Sequence, residues 1–88
     1  MSETEKQELA AALEADLLKL YDSPILTLKQ LHKALNFRSV DAVKQAILRG
    51  VFPVHTFEMP HRRGKFALAK DIAEFLAKQA FQEGENND

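Results

Sequence analysis

The sequence predicts one mainly helical domain, residues 1–88, with a small β-hairpin inserted before its last helix. Three observations predict it. Within 27–49, two apolar stripes at helical spacing, each opened by a capping residue, flank a three-residue interruption. From residue 51 the composition turns β-branched and aromatic, and a helical period returns only after residue 68. Charge, finally, is divided along the chain. Two basic side chains face six acidic ones in 1–22, nine face two in 23–70, and one faces five in 71–88. A basic middle between acidic ends suits a polyanion partner on one face.

Eighty-eight residues bury a single modest core, and a hydrophobic content of 45% is that of a folded chain. The chain has no cysteine, which excludes disulfide frameworks and thiolate zinc sites. Its first residues, MSETEKQE, are acidic without an apolar signal core, and no apolar run reaches membrane-spanning length. A soluble cytoplasmic protein is the expectation.

The first helix is expected over 3–21. Ser2 with Glu5 has capping-box spacing, glutamates crowd the first turns, and alanine and leucine dominate the rest. Leu9, Leu13, Leu17, Leu20 and Tyr21 share a broad face, and Leu18 lies outside it. Such a helix packs on its own domain, or packs in part against a second copy. Leu9, Leu13, Leu17 and Leu18, with Phe81 near the other end, form the candidate oligomerisation set. Asp22-Ser23-Pro24 then breaks the helix, because proline cannot continue it. Ile25 and Leu26 are a short apolar lead-in.

In 27–49, Thr27 with Gln30 makes a capping box, and Leu28, Leu31 and Leu35 form one stripe. Asn36-Phe37-Arg38 interrupts it. Ser39 supplies a second cap oxygen, Asp41 sits in the positive first turn, and Val40, Val43 and Ile47 repeat the apolar spacing. Gly50 ends the second helix as a left-handed residue would. On a wheel of about 100° per residue, Asp41, Ala42, Gln45 and Arg49 stand opposite that stripe.

Val51 to Phe57 favours a strand, with Pro53 confining it to an edge or to the strand's beginning. Glu58 to Gly64 is a turn, and Lys65-Phe66-Ala67-Leu68 alternates like a returning strand. The expected hairpin, 51–68, carries His61, Arg62, Arg63 and Lys65 at its tip, beside the second helix of the pair. A helix over 69–81 follows, with Asp71 in its first turn. Ile72, Phe75, Leu76 and Ala80 lie on one face, and Phe81 points away. Residues 82–88 are an acidic tail without periodicity, expected to fray.

Helix, tight turn, helix with a polar outer face, then a hairpin with a basic tip, is the order of a winged helix-turn-helix. In that reading Ser39, Asp41, Ala42, Gln45 and Arg49 approach base edges in the major groove. Gln45 suits adenine, and Arg49 suits guanine or phosphate. Asp41 fits a helix-start role better than a base contact. Arg38, Lys44, Arg62, Arg63 and Lys65 would hold the backbone, with His61 a phosphate neighbour and the wing on phosphates or in the minor groove.

The run from Leu26 to about Lys78 resembles the small winged-helix regulators of mobile elements. These are the phage excisionases, the related DNA-binding domains of the mercury-resistance-regulator superfamily, and the pyocin-activator type. The resemblance rests on an order of features. It begins with Leu28-Lys29-Gln30-Leu31 and Ser39 to Arg49, and continues through Gly50-Val51-Phe52-Pro53-Val54. The tip Arg62-Arg63-Gly64-Lys65 and a closing helix, Lys70-Asp71-Ile72-Ala73-Glu74-Phe75-Leu76, complete it. The long acidic N-terminal helix departs from the shortest excisionases. The resemblance implies sequence-specific DNA binding, often cooperative or dimeric, in transcription control or in bending DNA for recombination.

Other chemistry is thin. His32, His55 and His61 lack a second ligand at helical spacing, so no metal site is expected. Gly50, Gly64 and Gly84 are isolated and cradle no phosphate. No nucleophile has a recognisable base. An enzyme is not expected, nor a cofactor. Double-stranded DNA is the expected partner, bound by a homodimer or a cooperative oligomer, with no membrane involved. The alternative is a protein-interaction module that docks through the acidic first helix without DNA.

Overall fold

Local hydrogen bonding decides where this chain bends. The computed structural model describes residues 3–86, with side chains through Phe81. In order come α1 (Glu3–Tyr21), β1 (Ile25–Thr27), α2 (Leu28–Ala34), α3 (Val40–Leu48), β2 (Phe66–Leu68) and α4 (Ala69–Asn86). Three helices end on a residue in the left-handed region: Asp22 (φ 57°), Asn36 (φ 60°) and Gly50 (φ 72°). Asp and Asn tolerate that region because their short polar side chains bond locally. After α2, the Asn36 amide donates to the Lys33 carbonyl at 3.3 Å and the Phe37 amide to that of His32 at 2.8 Å. After α3, the Gly50 amide donates to Ile47 at 3.0 Å and the Val51 amide to Ala46 at 2.9 Å. Both are Schellman closures, which satisfy carbonyls a helix end would otherwise leave open.

Helix starts follow the caps. The Thr27 hydroxyl accepts from the Gln30 amide at 3.3 Å, and the Gln30 side-chain oxygen accepts from the Thr27 amide at 2.9 Å. Ser39 Oγ accepts from the Ala42 amide at 3.0 Å. The expected capping box at Ser2 lies outside the described residues.

The sheet differs from the expected hairpin. β2 pairs antiparallel with β1, setting Ile25 against Leu68, Leu26 against Ala67 and Thr27 against Phe66. Of the segment 51–57, only Phe57 pairs. It exchanges two backbone bonds with Phe66, at 2.9 and 2.8 Å. The other residues serve as a packing connector: Phe52 and Val54 are half-buried against the core, and the Phe52 ring meets Phe37 at 5.5 Å. Pro53 could not have donated a ladder bond. The lead-in Ile25-Leu26 is therefore a strand, and the hairpin reduces to a loop closed by one residue pair.

One core joins five of the elements. Leu17, Leu26, Leu31, Ala67, Ala69, Ile72 and Ala73 are buried in contact, with Leu13, Leu18, Tyr21, Leu28 and Leu76 packed around them. The broad face expected on α1 is rotated in the structure. Leu18 packs on the core while Leu20 is 70% exposed, because α1 lies against α4. Leu13, Leu17 and Leu18 thus serve the chain's own core, which removes the reason for assigning them to a second copy. Leu9 and Phe81 are half-buried. On α4 the buried positions are Ala69, Ile72, Ala73 and Ala77; the alanines among them are small enough to let a helix approach closely, and Ala80 is exposed. Contrary to the expected tail, α4 continues to Asn86; residues 87–88 lie outside the described residues. Among the described residues no helix is long and apolar enough to cross a membrane.

Candidate nucleic-acid interface

α3 sits at the edge of this core and packs chiefly on α2. It docks through Val43 and Ala46, which are buried, with Val40, Ala42 and Ile47 half-buried beside them. Its position is set from both ends. The His32 ring donates from Nδ1 to the Phe37 carbonyl at 3.0 Å, holding the turn before the helix. The Phe37–Phe52 ring contact ties that turn to the chain leaving α3. The helix is therefore braced along one side and bare along the other.

The bare side carries Asp41, Lys44, Gln45, Leu48 and Arg49, all exposed. Ala42, expected on the reading face, is half-buried at the edge between the docking side and the bare side. Ala46 is buried and Ala42 half-buried, so the covered arc turns towards the two alanines and the exposed arc towards Lys44 and Leu48. Ser39 is half-buried with its hydroxyl engaged in capping, which leaves the oxygen less available to a base edge. Leu48 is the outward residue that periodicity missed. Counting the alanines as apolar places it, at about 80° from Val40, in the middle of the polar arc.

Of the side chains expected at the hairpin tip, His61, Arg62 and Arg63 are exposed and Lys65 is half-buried. Pro60 and His61 are the central residues of a turn closed by the Arg62 amide donating to the Met59 carbonyl at 3.2 Å. His61 has φ 64°, which with proline before it is the form of a type II turn. Lys65 is half-buried and pairs with Glu58 at 3.3 Å, so its charge is partly answered within the loop. Arg62 lines a cleft with Ser23, Ile25, Thr27, Gln30, Met59 and Phe66. That cleft lies between the loop before β2 and the start of α2, and no residue of α3 lines it. Arg38, Lys44, Arg49, Arg62 and Arg63 form no ion pair among the described residues. Lys70 stands apart from them, in the groove between α1 and α4 beside Glu14, Glu74 and Lys78.

That groove, about 460 Å³ and open to solvent, has a floor of Ala10, Ala11 and Ala77 under a rim of mixed charge. It offers no net field to a charged ligand and no convergent polar group. The histidines are dispersed in role: His32 holds the turn, His55 stacks on Phe57 with ring centres 6.2 Å apart, and His61 shapes the tip of the loop before β2. What the arrangement supplies chemically is hydrogen-bond donors and positive charge on exposed, unpaired side chains. Comparison with family models, curated proteins and solved structures finds no match for the chain.

Proposed function

We propose that this chain is a sequence-specific DNA-binding protein of the winged helix-turn-helix type, a regulator or architectural factor of the mobile-element kind it resembles. The observation that carries the reading is the outer face of α3. Lys44, Gln45 and Arg49 project from it unpaired, on a helix buried along its other side, with Arg38 at its base. A helix so presented fits the major groove, where Gln suits adenine and Arg suits guanine. The loop closed by Phe57 and Phe66 serves as the wing, with Arg62 and Arg63 on phosphates or in the minor groove. Ser39 acts as the cap that fixes the angle of α3, and Ala42 as part of its seat.

Phosphate contacts release counterions, so the affinity must fall with salt. The full chain mixed with sheared genomic duplex at low and at physiological salt is expected to bind tightly in the first and far more weakly in the second. Absence of binding at low salt contradicts the reading. It would turn attention to the acidic surface of α1 as a protein-docking face.

A further inference from the structure

Leu48 is 80% exposed, the most exposed large hydrophobic side chain among the described residues. Isolated apolar residues on a surface are ordinary. Leu48 differs in its surroundings. On the α3 wheel it stands between Lys44 and Gln45, one turn beyond them, with Arg49 next in the chain. Val51, 67% exposed, follows just past the Schellman closure. An apolar side chain thus occupies the middle of a hydrogen-bonding face on which Lys44 and Arg49 outnumber Asp41, while the residues that hold α3 to the molecule lie on its other side.

An occupant of that face has to be anionic overall and apolar at one point. A second copy meeting it by two-fold symmetry would set one face bearing Lys44 and Arg49 against another, with Asp41 as the single acid to offset them, an unfavourable excess of like charge. Duplex DNA meets both conditions. Its phosphates answer the cations, and the one apolar group on the base edges of the major groove is the 5-methyl of thymine. Resting on the DNA-binding reading above, we infer that Leu48 is a specificity-determining residue that packs on a thymine methyl. Gln45 and Leu48 are three residues apart, a rise of about 4.5 Å along the helix. Base pairs repeat every 3.4 Å or so. With the helix axis along the groove, Gln45 on adenine and Leu48 on thymine therefore read base pairs one or two steps apart.

Deoxyuridine removes the methyl and nothing else, and that provides the test. Duplexes are selected from a randomised pool with the 88-residue chain, and each thymine of a bound duplex is replaced in turn by deoxyuridine. One replacement is expected to weaken wild-type binding about fourfold, the effect of burying one carbon. Leu48→Ala is expected to bind the thymine duplex weakly and to treat thymine and deoxyuridine alike at that position. Its side chain is exposed, so the variant keeps the wild-type circular dichroism spectrum. Wild-type protein that binds a selected duplex yet tolerates every replacement overturns the inference and leaves DNA binding standing. Protein that selects no duplex overturns both. Leu48→Ala that still distinguishes the two bases, or that changes the sedimenting mass of the free protein, assigns Leu48 another role and overturns the inference alone.

Discussion

Leu31→Ala is expected to remove about 3 kcal/mol of folding stability, since truncating a buried leucine loses its transfer free energy and leaves a cavity. Leu31 is fully buried where α2 meets the core. The core cluster it belongs to draws on five elements, and a void among parts held by one another cannot close by moving a single loop. A chain of 88 residues has few such residues to share the loss. Against a total stability of about 5–15 kcal/mol, the loss is a large fraction. The thermal midpoint, followed by circular dichroism, is expected to fall by roughly 10–20 °C. Leu20→Ala serves as the control, because that side chain is 70% exposed and its removal leaves no cavity. A Leu31→Ala midpoint within a couple of degrees of wild type would mean the core is not organised around α2.

Truncating Arg62 and Arg63 together is expected to leave stability nearly untouched and DNA affinity sharply reduced. Both are exposed and neither forms an ion pair among the described residues, so folding loses little when they go. Each phosphate contact contributes about 0.9 to the slope of log affinity against log salt. The double variant should therefore flatten that slope by about 1.8 and weaken binding between roughly tenfold and a hundredfold near 0.1 M salt. The loss should be similar for every duplex, because phosphates carry no sequence. Lys65→Ala is a poorer probe, since it also leaves Glu58 without its partner. An unchanged slope in the double variant would remove the wing from the interface.

The features legible in the sequence were those that neighbours within a few residues decide. Thr27 with Gln30, Ser39 before Val40, and Gly50 after Arg49 bound the helix pair through local hydrogen bonds, and the structure forms those bonds. Tertiary choices were not legible. Three residues, Ile25 to Thr27, hold too little alternation to announce a strand, and only the folded chain brings Phe66 to Leu68 beside them. The rotation of α1 and of α3 has one cause. Small side chains count as weakly apolar by themselves, yet they let helices approach closely, and Ala42, Ala46, Ala73 and Ala77 set which faces meet. That cause left Ala42 half-buried at the edge of the candidate site and brought the exposed Leu48 into it. The location of Arg62, beside Thr27 and Gln30, depended on where β2 pairs and so was also hidden.

The central claim is that the bare face of α3 and the wing tip meet DNA. Backbone amide spectra of the nitrogen-labelled 88-residue chain, recorded while a selected short duplex is titrated in, test it most directly. The account predicts shifts concentrated at Arg38, Asp41, Lys44, Gln45, Leu48 and Arg49 and over residues 61–63, with the α1 amides near Glu8 unmoved. Shifts gathered on α1, with those of α3 unchanged at saturation, would contradict it.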